Sequence, residues 1–149
     1  MTISVDIRNA FETLISTGLE GEDHGIVEVG RITPVPKELS YHINIMLGGL
    51  SLESRSRDTT LNELTVIVVV RVRELQDSDP EAEAYRLMQL AHNAVTDTPN
   101  LNVAAVQNTS LMLQQISPTL VKADADPLHA AISATYTLRF QSPTSDEAI

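Results

Sequence analysis

The sequence predicts an α+β domain: a mixed, mainly antiparallel β-sheet with two helices packed on one face. Three observations carry that expectation. Within Leu64–Leu75, five β-branched residues run unbroken from Val66 to Val70, which favours pleated, packed backbone over helix. In the last third, Ala130, Ile132, Ala134, Tyr136, Leu138 and Phe140 alternate with Ala131, Ser133, Thr135, Thr137, Arg139 and Gln141, the pattern of a half-buried antiparallel strand. Two other segments, Ser4–Thr17 and one opening at Pro80, instead repeat their apolar residues with the helical period.

The first helix buries Ile7, Phe11, Leu14 and Ile15. Ser4 is placed to cap it, Asp6 suits the positive first turn, and Gly18 suits a left-handed end. Leu19–Gly25 is acidic and glycine-containing, a loop. Ile26–Ile32 is apolar and β-branched enough for a strand. Thr33-Pro34-Val35-Pro36 then imposes an extended connection, because proline bars the helical conformation at the residue before it. Tyr41–Leu47 alternates Tyr41, Ile43, Ile45 and Leu47 with His42, Asn44 and Met46, and Gly48-Gly49 is expected to stop it. The polar stretch Leu50–Thr60 is a long flexible loop or the tip of an extended hairpin, and the hairpin is the reading adopted.

In the long strand Leu64–Leu75, the even positions Leu64, Val66, Val68, Val70 and Val72 are all apolar. The odd positions Thr65, Ile67, Val69, Arg71 and Arg73 are apolar in the middle and cationic at the far end. Such a strand spans roughly 35–40 Å. Its even face belongs on the core, and its odd face looks half covered, by a helix or a neighbouring subunit. Asp79 as N-cap with Pro80 at the first helical position opens the second helix, whose buried stripe is Ala84, Leu87, Met88, Ala91, Ala94 and Val95. That helix ends near Asp97–Asn100. Leu101–Val106 and Leu111–Ile116 are shorter strand candidates, Leu120-Val121 continues the second, and Pro118 marks an edge, bulge or break. Ala123–Pro127 has turn chemistry, and residues 142–149 form a polar tail beyond a single domain spanning 1–141.

At 149 residues the chain is one domain, large enough to bury about 68–70% of its unfolded surface. Two Phe, three Tyr and no Trp make the core aliphatic. No apolar run reaches ~18 residues and no basic-then-apolar start is present, so neither a membrane span nor a secretion signal is expected. With no cysteine there are no disulfides or thiolate metal sites, as suits a reducing cytoplasm. A net charge of −10 disfavours a sequence-reading nucleic-acid binder, which needs a basic face, but not a surface that DNA merely slides past.

A search for chemistry returns no catalytic, cofactor or metal site. His24, His42, His92 and His129 fall in different elements, none at the spacing of a helical zinc site. Asp77/Asp79 and Asp124/Asp126 lack the glycine and distal glutamate of a calcium loop, and read as capping and turn residues. Gly49–Glu53 misses the second glycine of a nucleophile elbow, and Gly18, Gly21 and Gly25 are spread through an acidic connection rather than cradling phosphate.

The order of elements carries a resemblance. The first helix ends in Thr17-Gly18-Leu19. Val29-Gly30-Arg31-Ile32-Thr33-Pro34 then leads into Tyr41-His42-Ile43-Asn44-Ile45. The strand through Val70-Arg71-Val72-Arg73, the helix with Tyr85-Arg86-Leu87 and the closing Ala134-Thr135-Tyr136-Thr137-Leu138 follow. Over residues 3–141 the chain resembles the tail terminator (tail-completion) proteins of long-tailed bacteriophages. That resemblance implies a structural virion protein of the tail and neck, assembled in the host cytoplasm. It would cap the tail tube as a hexameric ring and offer the surface on which the filled head or neck docks, without catalysis or cofactor.

A ring requires two different, complementary faces per subunit. Ile67, Val69, Arg71 and Arg73 are the expected subunit interface, against an acidic, apolar-flecked neighbour. Glu53, Arg55, Arg57 and Asp58, in the Gly48–Thr60 segment, are the expected contact with the tail tube protein. Six copies would carry about −60, so a lumen sharing that charge lets DNA pass as cargo without sticking. A head–tail connector or neck subunit fits the same residues. From a different class, so does a small-ligand-binding or enzymatic α+β domain with a site built from dispersed residues.

Overall fold

The computed structural model describes residues 3–22, 25–30, 39–73, 79–104, 106–121 and 129–143. The element order is α1 (Ile3–Gly18), β1 (Gly25–Val29), β2 (Tyr41–Arg55), β3 (Thr59–Arg73), α2 (Pro80–Thr96), β4 (Gln107–Val121) and β5 (His129–Pro143), with a short 3-10 turn at Pro99–Asn102 before β4. The five strands form one sheet in the order β1-β2-β3-β5-β4. β1 runs parallel to β2 and every other pairing is antiparallel, so the sheet is mixed and mainly antiparallel as expected.

Alternation fixes which side of the sheet is core. All five even positions of β3 from Leu64 to Val72 are buried, together with Tyr41, Ile43 and Ile45 of β2 and Ala130, Ile132, Ala134, Tyr136, Leu138 and Phe140 of β5. The helices close over these residues, α1 on β1 and β2, α2 on β3 and β5, and both on each other. α1 contributes Ile7, Phe11 and Ile15, and α2 contributes Ala84, Leu87, Met88, Ala91 and Val95. The α2 start is as the sequence implied: Asp79 accepts a hydrogen bond from the Ala82 amide at 3.1 Å, and Pro80 occupies the first turn, where a missing N–H costs nothing.

Several expectations need correction. Gly48-Gly49 does not stop β2, which runs on to Arg55 with a register shift between Leu47 and Leu50. A Cβ on Gly48 would lie 2.8 Å from the Thr65 side chain, so glycine there admits a neighbour within a bulge rather than ending the strand. Gly18 is not left-handed, the described glycine of that kind being Gly30 at φ +60°. Gly18 stays in the helix, and a Cβ on it would come 2.9 Å from the Ala94 Cβ, so its role is close approach of α1 to α2. Ser4 lies inside α1 and is buried, not a cap. Leu101–Val106 is no strand, because Leu101 and Asn102 adopt left-handed φ of 54° and 57° in the 3-10 turn. Ser142 and Pro143, expected in the polar tail, belong to β5, and Ser142 is buried; residues 144–149 lie outside the described residues. Ile32, Leu75, Asp77 and Ala123–Pro127 lie outside the described residues.

The four long strands have 15 residues each, roughly 50 Å, whereas α1 and α2, with 16 and 17 residues, reach about 25 Å. The sheet therefore outruns its helices. At the end carrying the β2–β3 turn, Leu101 and Val106 are buried beside the sheet instead. There the core-side positions turn polar: Thr60, Asn62 and Ser142 are buried, and Asn62 Nδ2 donates to Ser142 Oγ at 2.9 Å and to the Thr60 carbonyl at 3.2 Å.

Candidate assembly interface

The face of the sheet opposite the helices is built by the other half of each alternation. Cross-strand register sets Arg71 between His42 and Ala131, Val69 between Asn44 and Ser133, and Ile67 between Met46 and Thr135. Among the described residues no helix lies on this side. Ile67 and Val69 are half-buried, Arg71 is exposed and Arg73 half-buried, so the odd face of β3 is apolar at its centre and cationic at one end. Arg73 is held by its backbone, its amide donating to the Ser40 carbonyl at 3.0 Å. Arg71 makes no ion pair with another described residue.

The same face carries two charged constellations that the sequence did not reveal. At the Arg71 end, His42 Nε2 lies 3.0 Å from Glu28 Oε2, joining β1 to β2, with His42 almost fully buried. At the other end, Arg139 of β5 sits between two carboxylates, 3.0 Å from Glu53 and 3.1 Å from Glu63. The two carboxyls also hydrogen-bond to each other. That bond pushes Glu53 above the usual carboxylate range and holds Glu63 below it, the depression being deepened by Arg139. They titrate as a pair around one guanidinium. A depression of about 410 Å³ adjoins them, lined by Glu63, Met112, Gln114, Thr137 and Arg139.

The expected tube-contact residues are thus divided. Glu53 is engaged with Arg139 on the sheet, and Arg55 closes β2. Arg57 and Asp58 lie with Ser56 in the exposed turn of an extended hairpin. Ser56 ties that turn: its amide donates to the Thr59 carbonyl at 2.8 Å, and its Oγ accepts from the Thr59 amide at 3.0 Å.

On the helix side, Tyr136 is buried and shares a hydrogen bond of 2.9 Å with His92 Nδ1; the rings stack at 5.9 Å, and Phe11 meets Tyr136 edge-on at 5.8 Å. Burial pushes the Tyr136 hydroxyl up to about 12. Arg86 of α2 forks onto Glu22 at 2.7 and 2.8 Å and also holds Glu83, locking the loop after α1 to α2. The Arg86 hydrogen bond keeps Glu22 below the usual carboxylate range. His42 and His92 are therefore each engaged through one ring nitrogen, Nε2 with Glu28 and Nδ1 with Tyr136; His24 and the His129 side chain lie outside the described residues. A second depression, of about 200 Å³, lies between the end of α2 and β4, lined by residues including Val95, Leu101, Leu111 and Leu138.

Neither a protein-family model nor a curated protein matches this sequence. Among solved structures the chain is similar to one from the virion of a native gene transfer agent (GTA) particle, with 10% identical residues and a TM-score of 0.52, over 95% of this chain and 96% of that one. At that identity the likeness is one of fold, and it spans nearly the whole of both chains.

Proposed function

We propose that this chain is a structural protein of a phage-like virion: a ring subunit that caps the tail tube and presents the joining surface for the head or neck, with DNA passing through the lumen. The observation that carries the reading is the end-to-end fold likeness to a chain of a virion particle. The physical layout agrees with it. A closed ring needs a heterologous contact, and among the described residues the chain offers a sheet face that carries no helix on one side and a helix layer on the other. In the proposed ring, of six copies, Ile67, Val69, Arg71 and Arg73 meet the neighbouring copy, and the Arg57-Asp58 tip meets the tail tube protein. The net charge of −10 per copy keeps passing DNA from adhering.

Electron microscopy of the purified protein, alone and with tail tube protein, tests the class. Rings with a central hole are expected. A monomer by light scattering at high concentration, with no rings on added tubes, would sink the reading. Arg71→Glu combined with Arg73→Glu is expected to weaken self-association at least tenfold while the unfolding midpoint stays near that of the parent. Unchanged association would return both arginines to the role of a solvated strand end.

A further inference from the structure

The strand β4 stands apart from the rest of the chain. Its 15 residues, Gln107–Val121, include no charged side chain, although one residue in five of the whole chain is charged. It is an edge strand, with only β5 beside it. Of the six exposed large apolar residues among those described, three lie here: Met112 at 53%, Leu113 at 37% and Ile116 at 38% exposure. Leu113 and Ile116 lie opposite Tyr136 and Ala134, so they sit on the helix side, at the margin the two helices leave bare. Met112 lies opposite Thr137, on the other side. Proteins usually guard a long edge with charge. This edge has none.

The opposite edge of the sheet, β1, leaves a fourth apolar residue exposed, Ile26 at 38%. Four of the six exposed large apolar residues among those described thus lie on the two opposite margins of one sheet, the others being Leu52 on β2 and Tyr85 on α2, and a ring subunit needs two different contacts. Strand directions agree. β1 and β2 run one way, β3 the other, β5 with β2 and β4 with β3. A copy rotated about an axis along the strands therefore brings its β1 against β4 in antiparallel sense, with well-aligned hydrogen bonds.

We infer that β4 of one copy pairs with the β1 edge of the next, continuing the sheet from subunit to subunit. The inference rests on the self-assembly proposed above and adds an edge contact to it; Ile26, at that edge, lies in one cross-strand row with His42 and Arg71. The occupant is a second copy because each copy carries −10, β4 offers a strip free of charge, and the one charge of β1, Glu28, is engaged with His42. The register shift between Leu113 and Gln115, and Pro118, which cannot donate, confine the pairing to a short stretch, which suits the five residues of β1. A β4–β4 pairing would instead close after two copies.

The absence of cysteine makes the test clean. Ile26→Cys is combined in turn with Met112→Cys, Gln115→Cys and Ser117→Cys, all on the face opposite the helices, and each is also made singly. Under mild oxidation at least one double variant is expected to give a ladder of crosslinked multimers, and every single variant only monomers on denaturing gels. Dimers from a single β4 cysteine, or an oligomer with no ladder in any pairing, would overturn the edge contact and leave the ring standing. A monomer by light scattering would overturn both. As a second measurement, Met112→Lys with Ile116→Lys is expected to weaken self-association at least tenfold with an unchanged unfolding midpoint; unchanged association would refute the contact.

Discussion

Replacing Tyr136 by Phe is expected to reverse the sign of its effect on stability between neutral and strongly alkaline pH. At pH 7 the variant loses the hydrogen bond to His92 and leaves that nitrogen short of a partner, a cost of about 0.5–1.5 kcal/mol. The ring stays, so the edge contact with Phe11 is kept. Ionisation acts the other way. The Tyr136 hydroxyl is pushed up to about 12 from an ordinary value of 10.0 because burial disfavours the phenolate. A folded-state value above the unfolded one gives stability that is fully present below pH ~10 and lost as pH rises through ~12. Two units correspond to about 2.7 kcal/mol lost from the parent and not from the variant. Urea unfolding of both proteins from pH 7 to 12 measures the difference directly, and the contribution of every other titrating group cancels. The parent is expected to be more stable by about 1 kcal/mol at pH 7, with the two curves crossing between pH 10 and 12. Parallel curves would refute the assignment of a buried, desolvated hydroxyl at this position.

Neighbouring valines of β3 distinguish the two faces: Val68→Ala, on the core side, is expected to cost about 1–3 kcal/mol in urea unfolding, and Val69→Ser, on the uncovered side, less than about 1 kcal/mol. Gly18→Ala should destabilise by about 1 kcal/mol despite the better helix former, because the new methyl meets Ala94, and the loss should shrink in an Ala94→Gly background. Changing the hairpin tip with Arg57→Ala and Asp58→Ala should alter stability by no more than about 0.5 kcal/mol while abolishing capping of tail tubes in a sedimentation assay.

The sequence made the elements legible wherever one period ran cleanly. β5 and the even face of β3 lie where alternation put them, and the α2 cap was readable because Asp79-Pro80 admits few other conformations. Boundaries failed where a residue has more than one use. Gly48 and Gly18 look like terminators locally, but each gives up its Cβ to a partner far along the chain, Thr65 in one case and Ala94 in the other. The charged sites were illegible for the same reason. Arg139 and Glu63 are 76 positions apart and meet only because β3 and β5 pair in one register. Had β3 been started at Thr59, its odd positions would have put Glu63 on the same face as Ile67 and Val69, and the acidic end of that face would have been visible.

The two faces of β3 also bear on the proposed self-assembly. Burial behind α1 and α2 accounts for the even positions, and any β-branched residue would serve there. Nothing in the described residues requires Ile67 and Val69, since threonine and serine at the flanking positions Thr65, Ser133 and Thr135 are tolerated on the same face. Apolar residues kept at half exposure in mid-sheet, a charge-free edge strand and an exposed Ile26 on the far margin are each unremarkable singly. Together they are apolar patches, set among the Glu28–His42 and Arg139–Glu53–Glu63 groups, on a chain carrying −10. Repulsion between such chains is screened beyond about 8 Å at physiological salt, whereas apolar contact acts only when surfaces meet. A surface so divided resists random association and favours the one approach in which its uncharged parts coincide. That is the behaviour the proposed ring requires of a subunit that stays dispersed until the ring closes.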